Sequence, residues 1–129
     1  MLNIYKCNRC GNVVVLAVHG GGTLTCCGEQ MSLLKPNSTD AAGEKHKPVV
    51  EISGKEVVVK VGSVAHPMLP EHHIAFVILE TEKAGNAYRH MKQLNAGEAP
   101  EAAFTLAEGE KAVAAYEYCN LHGLWVTEL

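Results

Sequence analysis

The 129-residue sequence predicts an all-β protein in two parts: a small N-terminal domain stapled by metal, then an immunoglobulin-like antiparallel β-sandwich. Three observations point there. Four of the five cysteines, Cys7, Cys10, Cys26 and Cys27, are crowded at the N-terminal end. Downstream, apolar runs of strand length recur between Gly, Pro and Asn turns. The Ala-rich stretch 96–115, which composition alone would make helical, is interrupted by Gly97, Pro100 and Gly109, poor residues for a helix interior.

The first domain is placed at 1–36. Cys7-Asn8-Arg9-Cys10-Gly11 has the form of a metal knuckle, in which two thiolates aim at one point while backbone N–H groups face the sulfurs. The second pair, Cys26-Cys27-Gly28, is adjacent rather than spaced as in a zinc ribbon, and is expected to distort a tetrahedron. Between the pairs, Val13 to Val18 reads as a strand and Gly20-Gly21-Gly22 as a turn. So short a segment buries too little surface to fold unaided, so a four-sulfur metal site would supply much of its stability. Iron and zinc both accept four thiolates.

Residues 35–43 have linker composition, which places the boundary near Pro36 and a second domain at 37–129. Val49 to Ile52 is a short strand and Ser53-Gly54 a turn. Lys55 to Val61 alternates, with Val57, Val59 and Val61 on one face. Ile74 to Leu79 is an apolar run of buried-strand length. Tyr88 to Leu94, Ala102 to Leu106, Lys111 to Tyr118 and Trp125 to Thr127 complete the set. A domain of about 90 residues with such spacing suits seven sandwich strands.

Composition narrows the function. Apolar residues make up 47% and aromatics 5%, so the core is aliphatic. The net charge of -3, with no basic run, lacks the footprint of a nucleic-acid binder. Val13 to Val18 is too short to span a membrane, and Met1 to Lys6 has no secretory signal pattern, so a soluble cytoplasmic protein is expected. An odd number of cysteines in a reducing compartment points to metal ligation or catalysis.

Cys119, apart from the other four, lies three residues before His122, with Gly123 after it to allow a tight turn. A soft sulfur and a borderline nitrogen make a transition-metal pair. His46 opens the second domain, and His66, His72 and His73 lie in a loop stiffened by Pro67 and Pro70. His46, His66, His72 or His73, and the pair Cys119/His122 are all expected in turns at strand ends, where separated ligands converge.

These residues carry a resemblance. Cys7-x-x-Cys10 with Cys26-Cys27 resembles desulforedoxin. Glu44-Lys45-His46, His66-Pro67-Met68 and Cys119-Asn120-Leu121-His122-Gly123-Leu124-Trp125 resemble superoxide reductase. Together, over essentially the whole chain, they resemble desulfoferrodoxin, the two-iron form of that enzyme. The resemblance implies two iron ions per chain. Cys7, Cys10, Cys26 and Cys27 would hold one, where zinc is the alternative. His46, His66, His72 and His122 would hold the other equatorially, with Cys119 axial and a sixth position open. It implies a superoxide substrate, an external donor such as rubredoxin, and a homodimer. It gives Glu44 the role of a ligand to the oxidised iron, displaced on reduction. Lys47, Leu69-Pro70 and His73 depart from the family pattern; they alter the pocket rim and remove no ligand.

The chemistry fits. Superoxide is a small anion that takes up one electron and two protons to become hydrogen peroxide. Neutral imidazoles leave positive charge at the metal, which favours an anion. An axial thiolate pushes electron density toward the trans position. A lysine ammonium about 4 Å from the anion, the role expected of Lys45, is worth roughly 4 kcal/mol at an effective dielectric of about 20. Two other readings stand beside this one: a non-enzymatic iron-binding electron carrier or storage module, and a zinc-ribbon adaptor that would leave the histidines unused. His19, His73 and His90 have no expected role beyond the surface or support of a ligand, and Met68, Tyr118 and Trp125 are expected to pack near the site.

Overall fold

The computed structural model describes residues 1–129. The chain separates into two compact units, Met1–Lys35 and Pro36–Leu129.

The first unit is built from β1 (Asn3–Lys6), β2 (Val13–Leu16), β3 (Thr25–Cys26), β4 (Glu29–Gln30) and β5 (Ser32–Leu33). One sheet has the order β2-β1-β5, and β3 and β4 form a separate hairpin. The strand expected over 13–18 stops at Leu16, and β1 gave no signal because its four residues mix polar and apolar types. Buried apolar side chains are few: Leu2, Ile4 and Met31, beside Cys7. With so little buried area, a metal staple is the natural source of the missing stability.

The second unit begins with a single helical turn, α1 (Gly43–His46), where a loop was expected. Seven strands follow: β6 (Pro48–Ser53), β7 (Glu56–Val61), β8 (Ile74–Lys83), β9 (Asn86–Gln93), β10 (Glu101–Thr105), β11 (Lys111–Cys119) and β12 (Gly123–Glu128). They form two antiparallel sheets, β10-β7-β6 and β12-β11-β8-β9. The core lies between them. Val57, Val59 and Val61 face it from β7, and Ile74, Val77, Leu79, Ala115 and Cys119 from β8 and β11. An extra residue, Ala75, opposite the Tyr118–Cys119 step turns Ile74 to the same side as Val77, the usual effect of a bulge.

β8 continues four residues past the apolar run that announced it. Thr81 is fully buried and its hydroxyl donates to the Glu110 carboxylate, so a polar residue extends the ladder without an orphaned group. His90 Nε2 lies 2.6 Å from the same carboxylate, and the Ala107 N–H donates to its other oxygen at 2.9 Å. Thr81 first, then Ala107 and His90, hold the Glu110 carboxyl down at about 2. The β8–β9 hairpin closes through Ala84 (φ 50°) and Gly85 (φ 80°), a two-residue turn that matches the strand twist.

Candidate metal centres

In the first unit the four sulfurs of Cys7, Cys10, Cys26 and Cys27 all lie within 4.8 Å of one another. Cys10 Sγ is 3.6 Å from Cys26 Sγ, which is 4.0 Å from Cys27 Sγ. A tetrahedron with metal–sulfur bonds of about 2.3 Å has edges of about 3.8 Å. The expected distortion from adjacent cysteines is therefore small along these edges. The backbone absorbs it instead: Cys27 has φ 53° and Gly28 φ 78°, both left-handed. The knuckle N–H of Cys10 points at Cys7 Sγ at 3.5 Å, and Asn12 Nδ2 at Cys26 Sγ at 3.8 Å. The Cys10 and Arg9 backbone N–H groups pull the Cys7 thiol down to about 6, while the Cys10 sulfur, then Cys7 and Cys26, push Cys27 up to about 12. Four thiolates so close repel one another, and a bound cation relieves that repulsion.

The second unit brings together all five residues of the other expected set. His46, His66, His72, His122 and Cys119 place one ligand atom each within 4.8 Å of one another. The imidazoles form a square. Neighbouring ring centroids, taken in the order His46, His66, His72, His122 and back to His46, are 4.6, 4.6, 5.0 and 4.8 Å apart, with planes at 78° to 87°. Across the diagonal, His46 and His72 are 6.4 Å apart and 28° from parallel. His46 Nε2 lies 3.1 Å from His66 Nε2 and 3.0 Å from His122 Nδ1. A square of metal–nitrogen bonds of about 2.1 Å has edges of about 3.0 Å.

Tautomers make this a cation site rather than a hydrogen-bonded ring. His46 Nδ1 donates to the Ala42 carbonyl at 2.8 Å and His66 Nδ1 to the Pro67 carbonyl at 2.6 Å. In the neutral rings both Nε2 atoms then carry lone pairs and face each other without a proton between them. His72 Nε2 is buried with no hydrogen-bond partner. Lone pairs converging in a buried space are what a metal satisfies. Burial first, then the neighbouring imidazoles, pushes His46 and His66 below the ordinary imidazole range, His66 to about 4, with Lys45 adding to the shift at His46. Burial and His122 do the same for His72. Burial thus favours the neutral, metal-binding form of His46, His66 and His72.

Cys119 Sγ lies 3.4 Å from His66 Nε2 and 3.9 Å from His122 Nδ1. The His122 backbone N–H points at this sulfur at 3.4 Å, so the turn folds His122 back on Cys119 and the nearer ring nitrogen, Nδ1, enters the cluster. Burial pushes the Cys119 thiol up. The fully buried Glu117, two residues before it, has no partner for either carboxylate oxygen and is itself raised well above the carboxylate range by burial. Trp125 stacks on His46 at 5.1 Å and donates Nε1–H to the His122 carbonyl at 3.1 Å.

Glu44 and Lys45 are not among the five clustered residues, and both are exposed. The ammonium of Lys45 nevertheless depresses His46 and His72. The Glu44 carbonyl accepts from the Val64 N–H at 2.9 Å and the Ser63 hydroxyl at 3.2 Å. No residue type or spacing marks the Ala42 and Pro67 carbonyl anchors or the inward carboxyl of Glu117. Asn120, between Cys119 and His122, carries no signal in the sequence beyond its place in that motif.

An all-β chain with four convergent thiols in one unit and a square of imidazoles beside a thiol in the other is a two-centre metalloprotein. The family model described as desulfoferrodoxin matches residues 38–128, and that of the desulfoferrodoxin N-terminal domain matches residues 1–34. The chain belongs to the desulfoferrodoxin family. It is 50% identical to the desulfoferrodoxin of Syntrophotalea carbinolica over 127 residues, 98% of this chain and 96% of that one. It is 34% identical to a superoxide reductase of Pyrococcus horikoshii over 71% of this chain and 91% of the relative. Among solved structures, the superoxide reductase from Treponema pallidum matches with a TM-score of 0.80 and 41% identity, over 99% of both chains. The two donor sets and the family together agree with two iron centres, one in each unit.

Proposed function

We propose that the chain is a superoxide reductase, adding one electron and two protons to superoxide to release hydrogen peroxide. The observation that carries this is the square of four imidazoles with the Cys119 sulfur beside it. His46, His66, His72, His122 and Cys119 are the residues that would hold the reactive iron; Cys7, Cys10, Cys26 and Cys27 would hold the other. Ferrous iron held by the imidazoles and Cys119 would supply the electron and bind the anion.

The rest of the work falls to side chains. Neutral imidazoles leave the cation's charge uncancelled, which draws an anionic substrate. The Cys119 thiolate is electron-rich and favours donation over oxidation of the substrate. Lys45 is exposed and its charge reaches the ring of imidazoles, so it attracts superoxide and orders a proton-donating water. Glu44, exposed and outside the cluster, would serve as a displaceable carboxylate ligand to the oxidised iron, the role the family resemblance gives it. Trp125 covers His46 and limits the approach of water from that side.

The electron comes from a small one-electron protein such as rubredoxin, and exposed Cys10 and Cys27 offer a relay edge for it. The family resemblance favours a cytoplasmic homodimer. No helix is long and apolar enough to cross a membrane. Cys119→Ser tests the assignment. It should abolish the thiolate-to-ferric charge-transfer colour and the reduction of superoxide together. A variant that keeps full activity without the sulfur would refute it.

A further inference from the structure

The four imidazoles are not held in the same way. His46 and His66 are each anchored through their own Nδ1. His72 Nε2 is buried without a hydrogen-bond partner, so the placement of this ring leans on the backbone that carries it. Part of that support is local: the Leu69 and His72 backbones exchange hydrogen bonds at 2.9 and 3.1 Å. The rest comes from 47 residues away. Asn120 Oδ1 accepts from the His73 N–H at 2.9 Å, Asn120 Nδ2 donates to the Glu71 carbonyl at 3.0 Å, and the Asn120 backbone N–H donates to the His73 carbonyl at 3.2 Å. Those three bonds fall on the residues immediately before and after His72. Asn120 itself sits one residue after Cys119 and two before His122.

We infer that Asn120 is a positioning residue that locks the His72 loop to the Cys119–His122 turn, so that three of the five donors are held as one unit. This rests on reading His72 as a ligand. A carboxamide suits the task because it has an acceptor for the His73 N–H and a donor for the Glu71 carbonyl in one planar group. Aspartate keeps the acceptor and loses the donor. Alanine loses both.

The test uses the full-length, iron-loaded protein with three variants: Asn120→Ala, Asn120→Asp and His72→Ala. Iron affinity of the nitrogen-rich centre is measured by chelator competition, the ligand field by spin resonance of the oxidised centre, and folding by far-ultraviolet circular dichroism. Loss of an outer support typically weakens metal binding about 10- to 100-fold. Asn120→Ala should fall in that range, with a spin-resonance signal displaced toward that of His72→Ala and an unchanged dichroism spectrum. Asn120→Asp should fall between Asn120→Ala and the parent. Parent-like affinity and signal in Asn120→Ala would overturn the inference. So would a loss of dichroism in both Asn120 variants with parent affinity in the folded fraction, because Asn120 would then support only the fold. If His72→Ala also leaves affinity and signal unchanged, the ligand reading fails with it; if His72→Ala alone weakens binding, only the role of Asn120 falls.

Discussion

Lys45 and His46 are neighbours in sequence with opposite fates. His46 is buried and its ring is tied to the Ala42 carbonyl; Lys45 is exposed, and its charge is felt at His46 and His72. A positive group that reaches the ligands electrostatically without joining them suits the capture of an anion. Lys45→Ala should slow the bimolecular reaction with superoxide about 10-fold and flatten its dependence on ionic strength, leaving the charge-transfer colour in place. Stopped-flow or pulse-radiolysis kinetics against salt would measure this; kinetics equal to the parent's would remove Lys45 from the mechanism. At this scale the sequence was most readable where chemistry is rare. Sulfur and imidazole announce themselves, and all nine clustered donors were marked by type and spacing or by the resemblance those motifs carry. The groups that fix them were hidden because carbonyls have no residue type. Ala42 and Pro67 look like any linker residues, and Glu117 sits in an alternating strand where a carboxylate is expected on the wet face.

α1 is one turn long, too short to hold itself, since a helix of four residues scarcely repays its own nucleation. Its support is the turn after β7. Gly62 lies so close beneath α1 that a Cβ there would sit 2.7 Å from the Glu44 carbonyl oxygen and 3.0 Å from that of Lys47. Val64 and Ser63 then hydrogen-bond the Glu44 carbonyl. Gly62→Ala should push the Glu44–Lys47 segment outward. The expected result is faster amide hydrogen exchange at Lys45 and Lys47 and a several-fold slower reaction with superoxide, while the Ser63→Ala variant shows a smaller change in the same direction. Unchanged exchange in Gly62→Ala would mean the segment does not rest on this glycine. Elements with a strong period, such as β7 with Val57, Val59 and Val61 inward, were legible. β1 and α1 were not, because four residues hold too few repeats to reveal a period. β8 was read short because its final turns bury Thr81, not an aliphatic side chain.

The whole chain carries two donor sets that share no residue. Each set lies within a single compact unit. Cys10→Ser should therefore change the optical spectrum of the sulfur-only iron and leave that of the nitrogen-rich iron intact. Optical and spin-resonance spectra of the same sample decide it, and the loss of both signals would show that the centres depend on each other. The all-β class was readable from turn spacing and from the glycines and proline that break the Ala-rich stretch. The strand order in each sheet was not, because pairing between distant segments leaves no local mark.

The two donor sets also differ in when they can be completed. Every sulfur of the first is present once Cys27 has left the ribosome, and a nascent chain can close on a metal at that point. The second needs His46 from one end of its unit and His122 from the other, 76 residues later, across a sandwich whose last strand starts at Gly123. Its five residues converge only once the strands between them have paired, so loading of this second site is expected to follow loading of the first.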